Sequence, residues 1–126
     1  MKEERVRRRF IGKDSSMTIT VTSRHFKAHP SLVEYAEAAM SSLERYYDGI
    51  IKCEVILSFE RKRKSTKIAE VILSVYKHRI AAEERTEDFF KSIDAASGKA
   101  LVQLKKFKER LHEKDRKTVR RVREKV

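Results

Sequence analysis

The chain has 126 residues, room for one ordinary domain, and sets 31 Lys plus Arg against 19 Asp plus Glu, a formal net charge of +12. An excess of that size repels itself and points to a polyanionic partner, with nucleic acid first and an anionic membrane surface second. Hydrophobic residues at 40% exclude a disordered basic tail, the single cysteine excludes an internal disulfide, and no apolar run reaches membrane-spanning length.

Residues 1–16, MKEERVRRRFIGKDSS, lack the apolar stretch of a secretory signal and are expected to form a flexible basic N-terminal extension. From Thr18 to Arg24, Ile19 and Val21 alternate with threonines, the pattern of a half-buried strand. His29-Pro30-Ser31 then punctuates, and proline suits a first helical position because its missing N–H is not needed there. Leu32, Ala36, Met40, Leu43 and Tyr47 recur at helical spacing opposite Glu34, Glu37 and Glu44, so an amphipathic helix runs to near Asp48-Gly49.

Ile51, Cys53, Val55, Leu57 and Phe59 alternate with polar residues and predict a second strand. Arg61-Lys62-Arg63-Lys64-Ser65 is a basic connector to a third strand, carried by Ala69, Val71, Leu73 and Val75. Tyr76 to His78 is the expected tight turn, and Ile80 and Ala82 open a fourth strand that ends near Arg85. Thr86 or Asp88 caps a last helix whose Phe89, Phe90, Ile93, Ala96, Ala100, Leu104, Phe107 and Leu111 fall near one face. Residues 113–126 form a basic C-terminal tail that either prolongs this helix or frays.

The predicted fold class is α+β: a single domain in the order β-α-β-β-β-α, with a four-stranded mixed sheet and two helices packed on one face. The helix between the first two strands makes them parallel neighbours, and the rest form an antiparallel meander.

Charge concentrates toward the C-terminus. From Lys99 to Val126 twelve Lys or Arg stand against four Asp or Glu, and residues 61–67 hold five more basic residues and no acid. Lys91, Lys99, Lys105, Lys106, Lys108 and Arg110 flank the apolar stripe of the last helix, and with the loop residues Arg61, Lys62, Arg63 and Lys64 they are the candidate phosphate contacts. Tyr46, Tyr47, Tyr76, Phe89, Phe90 and Phe107 could stack on bases, but most sit on apolar stripes. They are expected in the core, with Tyr76 at the turn the one exposed.

Catalysis has no visible foothold. The four histidines His25, His29, His78 and His112 have no Cys or His at metal-ligand spacing, so neither a metal site nor a cofactor is expected. Cys53 alternates with buried strand residues and reads as a structural thiol. Glu83-Glu84 and Glu87-Asp88 lie beside basic residues at a strand–helix junction, where solvation or capping outweighs acid–base work.

Three stretches carry a resemblance to the ribosome hibernation-promoting factors, also called ribosome-associated inhibitors. They are ITVTSRHFKAHPSL, LERYYDGI from Leu43 to Ile50, and EDFFKSIDAASGKALVQLKKFK from Glu87 to Lys108. Residues 17–112 resemble the family's ribosome-binding domain, and the chain resembles its short form. The resemblance implies docking on small-subunit ribosomal RNA in the decoding region, overlap with tRNA and mRNA positions, and translation stopped by occupancy under stress or in stationary phase. It implies Lys99, Lys106 and Lys108 as phosphate contacts and Arg24 as a fourth. It also implies a cytoplasmic protein whose partner is the small ribosomal subunit or whole or dimerised ribosomes, with no membrane and no small-molecule substrate. Val102, Phe107, Gly98 and the Lys77-His78 turn depart from the family's usual residues. A generic double-stranded RNA-binding module is the alternative; it shares the layering but has no need of the strand at Thr18–Arg24.

Overall fold

The computed structural model describes residues 3–11, 16–61 and 65–124, with side chains described over 17–61 and 66–113. The predicted order is present as β2 (Ser16–Arg24), α1 (Pro30–Tyr46), β3 (Ile50–Arg61), β4 (Ser65–Val75), β5 (His78–Thr86) and α2 (Phe89–Glu124). β2 and β3 pair in parallel, and β3, β4 and β5 follow as an antiparallel meander.

The sheet has one strand more than expected. Glu3–Ile11, read from sequence as part of a flexible arm, forms β1 and pairs antiparallel with β2 from Glu3 opposite Arg24 to Ile11 opposite Ser16. Without it, β2 would present a row of unpaired N–H and C=O groups to water. The arginine-rich composition that suggested an arm is also what edge strands carry to keep other chains from adding on. Residues 1–2 and 12–15 lie outside the described residues.

One face of the sheet meets both helices. Ile19, Val21, Cys53, Val55, Leu57, Ala69, Val71, Leu73, Ile80 and Ala82 are buried there with Met40 of α1 and Ile93, Ala96, Ala100 and Leu104 of α2. The alternation read from sequence is thus the core-facing set, except at the two ends of β3: Ile51 is 58% exposed, where the register with β4 shifts and Ile50 turns inward in its place, and Phe59 is half-buried. Two residues of the opposite register, Ile68 and Ile72, are also buried, although no helix covers them. They sit on β4, between β3 and β5, where neighbouring strands shield both sides, and Glu60 and Arg85 pair across that face at 3.0 Å.

Local chemistry fixes the element ends. His29 caps α1, its Nδ1 accepting from the Ser31 N–H at 3.1 Å with Pro30 entering the first turn. The β4–β5 turn is tighter than predicted, Tyr76-Lys77 alone, with Lys77 at φ 55° in place of a glycine and His78 already in β5. Asp88 caps α2 by accepting the Phe90 N–H at 2.9 Å. The Thr86 hydroxyl donates to the Asp88 carbonyl at 2.6 Å, and the Ser92 hydroxyl donates to the Lys67 carbonyl at 2.8 Å, tying the first turn of α2 to β4.

Gly98 lies mid-helix, and a methyl group added there meets no atom within 4 Å. Replacing it with alanine relieves backbone entropy at no steric cost. Gly98→Ala is expected to raise stability by about 1 kcal/mol in urea unfolding; an unchanged midpoint would mean that α2 is not helical at this point.

Cys53 is buried with its Sγ 3.4 Å from Met17 Sδ, and burial, aided by the charge of Glu44, pushes the thiol up from 9.0 to about 12. Because the folded value is raised, the group favours the native state fully below the unfolded thiol's pKa, and that contribution fades as pH climbs from there toward 12. Native protein at pH 8 is expected to resist a thiol reagent until denaturant is added, and prompt labelling of the folded chain would contradict this burial.

Candidate nucleic-acid interface

α2 runs antiparallel along β5, and three contacts mark the path. The Lys99 ammonium pairs with the Glu84 carboxylate, Gln103 Nε2 donates to the Ala81 carbonyl at 3.0 Å, and Phe107 stacks on His78 with ring centroids 5.3 Å apart. The apolar stripe of the helix is turned inward by this docking. The cations beside it are left outward: Lys91, Lys99, Lys105, Lys106 and Arg110 are exposed and Lys108 is half-buried.

The candidate residues do not form one patch. Arg24 ends β2 and Arg61 ends β3, and these parallel strands bring them to the same end of the sheet as Lys91 in the first turn of α2. Lys105, Lys106, Lys108 and Arg110 lie at the other end, about 21–28 Å from Lys91 at 1.5 Å per helical residue. Lys99 falls between the two groups and is partly neutralised by Glu84. Lys62, Arg63 and Lys64 lie outside the described residues.

At the far end the lysines are organised by an aromatic ring. Tyr46, in the last turn of α1, is 37% exposed, with Lys108 Nζ 4.7 Å and Lys105 Nζ 5.8 Å from its ring centroid. Lys108 Nζ also donates to the Tyr46 carbonyl at 3.4 Å, where the carbonyl end of α1 favours a cation.

The core assignment of the aromatics therefore needs correction. Phe107 is buried and Tyr76 is 70% exposed, as expected, but Tyr46 and Phe90 are exposed too. Tyr46 falls in the turn where α1 runs out, and Phe90 turns onto Tyr35 edge to face at 5.0 Å. The Tyr35 hydroxyl donates to Asp94 at 2.5 Å, and that bond holds its pKa above the ordinary tyrosine value.

Sequence reasoning also missed Phe26, Phe59 and Lys67. Phe26 stacks on Phe89 at 5.0 Å and meets Phe59 edge-on at 5.8 Å, while Lys67 Nζ lies over Phe59 and Phe89 at 5.4 and 5.5 Å. Only Phe59 carried a periodic signal, and that signal named it a strand residue. Among the described residues no group of three His, Cys, Asp or Glu side chains converges as a metal site would require, and no helix is long and apolar enough to cross a membrane.

The profile of the family described as Sigma 54 modulation protein / S30EA ribosomal protein matches residues 19–112, which span β2 through the docked part of α2. The chain belongs to this family. A ribosome hibernation promoting factor of Klebsiella oxytoca, also similar, is 30% identical over 95 residues, which cover 75% of this chain and 97% of the relative. Two solved structures share the fold of this S30EA chain. A ribosomal subunit interface protein from Coxiella burnetii superimposes with TM-score 0.66 at 23% identity, covering 72% of this chain and 97% of that one. The N-terminal domain of Thermus thermophilus Protein Y gives 0.61 at 26% identity, covering 71% and 93%. Outside the family match lies β1, along with the last turns of α2.

Proposed function

We propose that this chain is a ribosome hibernation factor that silences translation by occupancy. It docks on small-subunit ribosomal RNA in the decoding region and overlaps the positions of tRNA and mRNA. Lys99, Lys105, Lys106, Lys108 and Arg110 hold phosphates along α2, and Arg24, Arg61 and Lys91 hold them at its start. The observation that carries the reading is the docking of α2: its apolar stripe is clamped to the sheet, so the cations beside it have a fixed spacing that a folded polyanion can match. The names of the relatives support the ribosome as the partner. No reaction is involved, no cofactor is needed, and the site of action is the cytoplasm.

Sedimentation tests this directly. Tagged protein in lysate from stationary cells is expected in the small-subunit and ribosome fractions of a sucrose gradient, and to shift to the top as salt rises. Protein that stays at the top at low ionic strength would end the reading. Displacement by any perfect RNA duplex as efficiently as by ribosomes would favour the generic duplex-binding module instead.

A further inference from the structure

A second feature lies at the end of the sheet where β2, β3 and α2's first turn meet. His25, Phe26, Phe59, Arg61, Lys67 and Phe89 line an open cleft of about 290 Å³. Its walls are held in place from three directions. The Ser23 hydroxyl donates to the Phe26 carbonyl at 3.0 Å, closing the turn that carries Phe26, and His25 within that turn sits at φ 69°. Phe59 belongs to the regular β3–β4 ladder, directly opposite Lys67. Phe89 opens α2, whose first turn is tied to the Lys67 carbonyl through Ser92.

The lining joins two chemistries that an ordinary satellite of the core does not need together. Three phenylalanine rings are half-buried, neither sealed in the core nor free in water. Cations stand over them: Lys67 over Phe59 and Phe89, and Arg61 over Phe59 at 5.2 Å. Aromatic faces rimmed by cations are how proteins hold unstacked nucleotides, with the base on the ring and the phosphate on the cation. At about 290 Å³ the cleft is near the lower size of small-molecule sites, the scale of one nucleotide.

We propose that this cleft binds a single unstacked nucleotide, whose base takes the place of the Lys67 and Arg61 side chains over the Phe59 and Phe89 rings while those two cations swing onto its phosphate. Phe89 is about 31 Å from Arg110 at 1.5 Å per residue, so the cleft is spatially separate from the far lysine group. The proposal shares Arg61 with the docking surface proposed above but is read at the phenylalanine rings, which that surface does not use, so each can fail alone. The nucleotide could belong to an RNA strand or be free in solution; the base and phosphate chemistry is the same.

The test uses the full-length protein and three probes: a uridine pentanucleotide, an abasic sugar-phosphate of the same length and charge, and uridine monophosphate. The pentanucleotide is expected to bind roughly fivefold or more tightly than the abasic strand, the low end for one stacked base. Phe59→Leu is expected to remove that difference while leaving the abasic affinity in place. Aromatic NMR shifts of the wild-type phenylalanines give a readout that needs no variant. Shifts with the monophosphate identify a free nucleotide as a ligand, and shifts with the pentanucleotide alone identify a nucleotide within a strand. Equal binding of the two strands, with phenylalanine signals unmoved by every probe, would overturn the proposal. So would the same shifts from an oligoglutamate peptide.

Discussion

Reversing Lys106 and Arg110 to glutamate together is expected to release the protein from ribosomal particles at physiological salt. Both side chains are exposed on the outer side of α2, one helical turn apart, away from the stripe that holds the helix to the sheet. A hydrogen bond to a charged group contributes about 1.5–3 kcal/mol, so losing two phosphate contacts weakens binding on the order of 100-fold even at the low end. Repulsion between the new carboxylates and phosphate adds to that. The salt dependence should flatten as well, by roughly 0.7–0.9 log–log units for each phosphate no longer neutralised. Circular dichroism and thermal unfolding should stay near wild type, because surface changes away from caps and partners rarely exceed about 0.5 kcal/mol. Lys99 is a poorer choice for this test. Its reversal would set a second carboxylate against Glu84 and disturb the helix–sheet contact along with the proposed RNA surface. Gradient fractions that still hold the double variant, with an unchanged salt slope, would remove α2 as the contact.

Leu104→Ala should have the largest effect on the fold. Leu104 is fully buried where α2 crosses the sheet, in one stripe with Ile93, Ala96 and Ala100. Truncating such a leucine costs the transfer energy of its lost carbons and leaves a cavity, together about 2–5 kcal/mol. Against a total stability of about 5–15 kcal/mol, that is a sizeable share. The melting temperature should fall by roughly 4 °C for each kcal/mol in a domain of this size. Ribosome association should fall with it, because cations on an undocked helix lose their fixed spacing. A loss below about 1 kcal/mol would mean that α2 does not pack through Leu104, and the basis for treating its cations as an ordered row would go with it.

The fold was largely legible because its strands and helices have unambiguous periods. Cys53 to Leu57 could only be a strand with one buried face, and Ile93 to Leu104 could only be a docked helix face. β1 was hidden because VRRRFI has more charge than alternation, and pairing at a sheet edge depends on the partner's open hydrogen bonds, which no local pattern records. For the candidate interface, the sequence supplied the cations but not their distribution. Arg24, Arg61 and Lys91 are far apart along the chain and reach one end of the sheet only through the parallel pairing of β2 with β3. The pairing of Lys99 with Glu84 and the gathering of Lys105 and Lys108 on Tyr46 depend on helix–sheet and helix–helix packing that periodicity does not encode. The Phe26–Phe59–Phe89 cluster needed three elements to converge before it could be recognised.

On the docking proposed above, the ion pair at the middle of α2 would give the surface a means of letting go. To grip a phosphate fully, the Lys99 ammonium must leave Glu84, and the abandoned carboxylate then faces the polyanion. Glu84 would thus compete with a bound polyanion for the same cation throughout the bound lifetime. A row of cations without such an internal rival would hold longer and part more slowly.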